Sequence, residues 1–175
     1  MVPLGTPLPD ATLPDLADNP VDIRSYAQGQ PLLVVFACNH CPYVQWVELL
    51  LAEVVQQTGV RALAINPNDA QTYPEDSPEQ MREQVARANW QFPYLIDSGQ
   101  DVARTFGAVC TPDFFLYDRE GRLAYRGAFD YSTPKNGQPL TGELLRAAIE
   151  GVQSGQSVPE PHRPSMGCSI KWKQS

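Results

Sequence analysis

No stretch of this chain is apolar for long enough to cross a bilayer, which takes about 20 consecutive apolar residues. Positive charge is also scarce. Thirteen Lys and Arg face 20 Asp and Glu, for a net charge of -7. An acidic surface repels phosphate backbones and anionic headgroups, so neither nucleic acid nor a membrane is an expected partner. The opening Met1-Val2-Pro3-Leu4-Gly5-Thr6-Pro7 lacks the basic and apolar regions of a secretory leader, and the expected compartment is the cytoplasm. Cysteine is limited to four residues. In a reducing compartment such thiols point to catalysis or metal binding rather than to structural disulfides. No internal repeat and no second domain is visible. A length of 175 residues with 42% apolar content suits one globular domain with a real core.

What is present is concentrated in Pro31-Leu32-Leu33-Val34-Val35-Phe36-Ala37-Cys38-Asn39-His40-Cys41-Pro42-Tyr43. The first half is an unbroken apolar run, the pattern of a strand buried on both faces. The second half sets two thiols, an imidazole and a proline where that strand yields to a helix. Pro42 suits the first helical position, where its missing N–H has no partner to lose. Cys41 then falls at about the N-cap. Free backbone N–H groups and the helix dipole favour a thiolate there, and a protonated His40 next door adds to the effect. Cys38 and Cys41 form a C-x-x-C pair, a redox signal in a βαβ pattern.

The rest of the chain supports that pattern. Residues 1–20 are proline-rich, with an edge strand or extended cover expected around Ala11-Thr12-Leu13. After Pro42, Tyr43, Val47, Leu50, Leu51 and Val54 share one helical face, and Gly59 ends the helix. Residues 60–66 form the next strand, so strand, helix and strand make a right-handed parallel unit. Ser77-Pro78-Glu79-Gln80 opens a helix to about Ala88 as N-cap, N1 proline and capping-box glutamine. Phe92–Ile96 is a short strand and 100–106 a short helix. Asp118-Arg119-Glu120-Gly121 turns a hairpin. Thr141 is expected to cap a last helix that buries Leu144, Leu145, Ala148, Ile149 and Val152. The whole is an α/β fold with a mixed central sheet flanked by helices.

These features resemble the thioredoxin fold: a strand–Cys–Pro–helix unit, a later Thr111-Pro112 entering a strand, and a closing hairpin plus helix. Leu4-Gly5-Thr6-Pro7-Leu8-Pro9-Asp10 resembles the N-terminal extension of the peroxiredoxin and alkyl hydroperoxide reductase superfamily. Cys38–Val44, Tyr73–Glu79, Cys110–Leu116 and Gly167–Trp172 look like a peroxiredoxin-like subgroup of bacterial proteins. The resemblance implies a thioredoxin-like domain over 1–155, and the C-terminal tail, 156–175, is expected to dock on it because it carries Cys168, Ile170 and Trp172. The resemblance also implies a cis Thr111-Pro112 peptide facing the cysteines and holding an extended substrate. In the thioredoxin register Cys41, not Cys38, stands at the attacking position. A peroxiredoxin carries Thr or Ser three residues before its peroxidatic cysteine. That position holds Cys38 when counted from Cys41 and Val35 when counted from Cys38.

The expected function is thiol–disulfide oxidoreduction, with Cys41 as nucleophile, Cys38 as partner and His40 steadying the thiolate. The rivals are a thiol-dependent peroxidase of antioxidant type and a non-enzymatic redox-sensing or thiol-dependent binding module. The substrate is a protein or small-molecule disulfide, or a peroxide, and the reductant a thioredoxin- or glutathione-type thiol. No cofactor is needed, because sulfur carries the electrons. Cys110 and Cys168 are further candidate redox thiols, the latter pairing with Cys110 or resolving Cys41. Each is alternatively an unreactive buried thiol. The four cysteines, or three and a histidine, would also compose a zinc set, but a second close-spaced pair is absent, and no metal ligand is assigned. Asp113 and His162 read as solvated, Trp46 and Trp90 as packing residues.

Overall fold

The structure, a computed structural model, describes residues 2–174. Its strands are β1 (Thr12–Pro14), β2 (Pro20–Asp22), β3 (Leu32–Phe36), β4 (Arg61–Asn66), β5 (Tyr94–Ile96), β6 (Cys110–Thr111), β7 (Asp113–Tyr117), β8 (Leu123–Gly127) and β9 (Cys168–Ser169). Its helices are α1 (Ile23–Ala27), α2 (Pro42–Thr58), α3 (Pro78–Ala88), α4 (Asp101–Phe106) and α5 (Glu143–Gln153). Five strands make the central sheet in the order β5-β4-β3-β7-β8. β3, β4 and β5 run parallel, as the intervening α2 and α3 require, whereas β7 and β8 are antiparallel.

β3 explains why the sheet has two cores. Its side chains alternate between faces, and both faces are covered, so all five residues are buried. Leu33 and Val35 pack with Phe114, Leu116 and the inner sides of α2, α3 and α5. Leu32, Val34 and Phe36 pack with Phe115, Tyr117, Ile23 and Phe106 on the other face. Phe36, Phe106 and Phe115 meet edge to face, the arrangement that ring quadrupoles favour. Along α2 the buried stripe is Val44, Val47, Leu51 and Val54, each worth about 1.5–3 kcal/mol on burial. It is turned slightly from the stripe read in the sequence. Tyr43 and Leu50 are only half-buried, while Val44 and the charged Glu48 face inward.

Two helix starts contrast. Ser77 caps α3 as its sequence indicates, its hydroxyl accepting the Gln80 N–H. The cap of α5 is Gly142 rather than Thr141. Gly142 has φ +68°, and a Cβ there would lie 2.9 Å from the Phe129 ring, so only glycine fits. The Asp130 carboxylate accepts the N–H groups of Thr141 and Gly142, both at 2.8 Å.

The tail after α5 returns across the sheet end. Arg163 O accepts the Ala128 N–H, and Ser165 Oγ donates to Gly127 O at 2.6 Å. β9 then pairs antiparallel with β6, Cys168 opposite Thr111. Beyond it Ile170 is buried in the second core, and the Arg104 guanidinium lies 4.3 Å over the Trp172 ring. His162 is not a solvated tail residue. It is half-buried, its ring 4.8 Å from that of Tyr125. Among the described residues no helix is long and apolar enough to cross a membrane.

Candidate active site

The turn between β3 and α2 is fixed by its own polar groups. Asn39 N–H donates to Asp76 Oδ1 at 2.7 Å, and its side-chain amide donates to Glu75 O. Asn39 O accepts from Gln45, and Asn39 Oδ1 from Arg87. Gln84 donates to Cys38 O at 2.9 Å. Behind the turn, Glu48 takes Arg87 Nε at 2.8 Å. With these groups satisfied, the loop has little freedom, and the two sulfurs are held by geometry rather than by a disulfide. All four cysteines are free thiols.

Cys41 is the N-cap of α2, followed by Pro42 at the first turn. Its sulfur lies 3.3 Å from the carbonyl oxygen of Thr111, the residue whose peptide to Pro112 is cis. Cys38 Sγ lies 3.3 Å from the Thr111 hydroxyl. Both sulfurs are shut from solvent, Cys38 at 1% and Cys41 at 0% exposure. Even so, the Cys41 thiol is held well below the usual thiol range. Hydrogen bonding from the Cys38 thiol is the leading cause, with help from the Cys168 thiol and the Val44 N–H, against the cost of burial. On ionising, the sulfur gives up its bond to the Thr111 carbonyl and takes those donors instead. Cys38 moves the opposite way. Its proton is held by hydrogen bonding to Cys41 first, then by burial and the nearby Asp76 carboxylate. One sulfur is therefore poised as the anion and its neighbour as the donor.

His40 does not sit where the sequence suggested. Its Nδ1 lies 2.9 Å from Asp76 Oδ2, off the line of a hydrogen bond, and its ring stacks on Tyr73. The groups acting on Cys41 do not include it. Nor do the four cysteines gather as a zinc set. Among the described residues, the ligand-type atoms that cluster are those of Cys38, His40 and Asp76, within 4.8 Å of one another. The Asp76 carboxylate there is already engaged by Asn39, Asn66 and Asn68.

The other expected thiols separate. Cys168 reaches the site, opposite Thr111 on β9 and packed against the core cluster that contains Cys41. Cys110, one residue before Thr111, faces away toward Asp113 and Arg126 and bonds only weakly to Pro112 O at 3.8 Å. Burial and the Asp113 charge push its thiol up to about 12. Asp113 is not solvated. It is buried in a 3.0 Å ion pair with Arg126, and burial still pushes its carboxyl up. Trp90 packs in the core as read, its indole N–H on Glu48 O. Trp46 is exposed and bonds Ser132 at the rim of a groove that Tyr43, Pro112 and Met166 also line. The supporting residues Glu48, Asp76, Gln84 and Arg87 carry no motif of their own in the sequence. A charge on the apolar stripe of α2 was the visible signal for Glu48.

The comparisons agree with this architecture. A family model described as the AhpC/TSA family matches residues 4–126, a span that holds Cys38, Cys41, Thr111 and Pro112 but stops short of Cys168. The crystal structure of a hypothetical protein from Sinorhizobium meliloti is 43% identical, with a TM-score of 0.95, covering 100% of this chain and 97% of its own. An uncharacterized conserved protein from Geobacillus kaustophilus is 45% identical, with a TM-score of 0.93, covering 100% and 95%. A secreted disulfide oxidoreductase from Mycobacterium tuberculosis shares the fold at 17% identity and a TM-score of 0.61, covering 81% and 95%. No curated protein sequence matches this chain. With a family model over most of its length and a thioredoxin-like fold around the cysteine pair, the chain belongs to the AhpC/TSA family.

Proposed function

We propose that the protein is a thiol–disulfide oxidoreductase. The observation that carries this reading is the pairing of opposite tendencies at one helix start: an acidified Cys41 and a proton-holding Cys38, each 3.3 Å from a polar group of Thr111. The Cys41 thiolate attacks a substrate disulfide and expels one thiol. This leaves a mixed disulfide on Cys41. The charge on Cys41 is then gone, and with it the main hold on the Cys38 proton. Cys38 loses that proton, attacks the Cys41 sulfur and expels the second substrate thiol. Two electrons have passed to the substrate, and a Cys38–Cys41 disulfide remains for an external thiol of thioredoxin or glutathione type. A reducing compartment such as the cytoplasm suits that cycle.

Cys41 is covered by β9, so attack on a bulky substrate requires β9 to part from β6. That means breaking a two-residue ladder together with the flanking bonds of Ile170 to Val109 and Lys171 to Asn68, each worth about 0.5–1.5 kcal/mol. Peroxidase chemistry is less well supported. Cys38 fills the place of the family's Thr or Ser, and Arg87 and Arg126 are engaged with Glu48 and Asp113. The test is turnover of insulin or a model disulfide, set against stopped-flow reaction with hydrogen peroxide. Disulfide turnover that needs both Cys38 and Cys41 is expected. Fast peroxide consumption with no disulfide turnover would overturn the reading.

A further inference from the structure

The Cys38–Cys41 pair has no open path to solvent. Neither residue has meaningful exposure, and Cys168 packs against the core cluster that holds them. Cys168 is half-buried, so one side of it meets Cys41 and another meets solvent. Its position is built rather than accidental. β9 pairs Cys168 with Thr111, the residue whose carbonyl touches Cys41. Immediately before it, Gly167 is pressed on the same peptide: a Cβ there would fall 2.0 Å from Thr111 O. Just after it, the tail is fastened by Ile170 N–H to Val109 O, Lys171 N–H to Asn68 and Lys173 N–H to Gln100. The strand is pinned on both sides of one sulfur.

We infer that Cys168 is a relay thiol, the route by which reducing equivalents reach the sealed Cys38–Cys41 disulfide. The inference rests on the reading of Cys38 and Cys41 as the exchanging pair. In the first step the Cys168 thiolate attacks the Cys41 sulfur of the Cys38–Cys41 disulfide. The Cys41–Cys168 bond forms and the Cys38–Cys41 bond breaks. Cys38 leaves as the thiolate and takes up the proton that Cys168 lost, so no electrons enter or leave. In the second step an external dithiol attacks the half-exposed Cys168 sulfur. Cys41 departs as its stabilised thiolate, and the dithiol's second sulfur closes its own disulfide, releasing Cys168 as a thiol. Two electrons have entered, and the reductant has touched only Cys168.

The chemistry favours this order. Cys168 is pushed up to about 11 in the reduced protein by burial and by contact with Cys41. When Cys41 is in a disulfide it carries no charge, and part of the hold on the Cys168 proton disappears just when that thiol must attack. In the second step the leaving group is the most acidified sulfur of the site, and a low-pKa thiol leaves fastest. Cys110, buried beside Asp113 on the other side of the strand, has no such part.

The test is single-turnover reduction of oxidised protein by dithiothreitol, acid-quenched and alkylated, with disulfides mapped by mass. The Cys38–Cys41 disulfide should form in both wild type and Cys168→Ser, and its reduction should slow at least tenfold in the variant. Partly oxidised wild type should also contain the Cys41–Cys168 disulfide, and Cys38→Ser should accumulate it on oxidation with diamide. Equal or faster reduction in Cys168→Ser would mean the tail is only a cover and would overturn the relay while leaving the pair intact. Absence of the Cys41–Cys168 disulfide from both wild type and Cys38→Ser would overturn it independently of how well Cys168→Ser folds. If the Cys38–Cys41 disulfide forms in neither wild type nor Cys168→Ser, the pair reading fails and the relay fails with it.

Discussion

Cys41 and Cys110 bond to neighbouring peptides, one on each side of Pro112. Cys41 touches the Thr111 carbonyl from the α2 side, and Cys110 bonds to the Pro112 carbonyl from the side of Arg126. Both are buried, and burial alone would raise both thiols. Yet Cys41 is lowered and Cys110 is pushed up to about 12. The difference lies in the neighbours. Cys41 faces two thiol donors and a helix-start N–H, whereas Cys110 faces a carboxylate whose arginine is already committed. Reactivity in this fold is set by which donors surround a sulfur, not by how much water reaches it.

The sharpest way to break that contrast is to remove each sulfur. Cys41→Ser should abolish disulfide turnover by about three orders of magnitude or more, since loss of an activated nucleophile removes its whole pathway. Cys110→Ala should leave turnover within about twofold, as a thiol outside the reacting set contributes only packing. Comparable losses in steady-state assays of the two would erase the distinction. Next in size, Arg126→Ala strands the buried Asp113 carboxylate on the Cys110 side. Urea titration should show about 3–5 kcal/mol less stability, the usual penalty for an orphaned buried charge, while Cys41 alkylation stays close to wild type. A smaller loss, about 1–3 kcal/mol, is expected for Asp76→Ala, which unpairs the Asn39 N–H and the Asn66 and Asn68 amides. That variant also removes a charge that holds the Cys38 proton, so Cys38 alkylation should begin at lower pH.

The smallest expected effect is the pH profile itself. A lowered pKa means that Cys41 is already thiolate below the ~8.5 of a free cysteine. Its alkylation rate by iodoacetamide, read by peptide mapping, should therefore be flat from pH 7 to 9. At Cys110 the thiolate is still the minor form there, and its rate should rise about tenfold per pH unit. A Cys41 rate that climbs in step with Cys110 would show that the donors do not act as described.

Much of this site could be read in the sequence because it is local. Five apolar residues, Cys41 and Pro42 specify strand, cap and helix within one short stretch, and Ser77-Pro78 does the same for α3. What escaped depends on partners far away in the chain. Asp113 has the look of a solvated strand-start carboxylate until Arg126 is known to cross to it. His40, adjacent to Cys41, turns instead to Asp76 and Tyr73 across a long loop. His162 sits among prolines, yet its ring finds Tyr125. The cap of α5 falls on Gly142 rather than Thr141, where Asp130, further back in the chain, takes the N–H groups of both. Cys168 could be suspected of docking, but the choice of Cys41 over Cys110 required the register of β9 on β6.

The position of Cys168 in the chain also bears on biosynthesis. Cys41 is translated early, and the strand that roofs it follows only after nearly all of the sheet and its helices. A nascent chain therefore carries Cys38 and Cys41 before the strand that pairs over them has been made. The guard over this pair is thus the last part of the site to be supplied, since β9 begins only at Cys168.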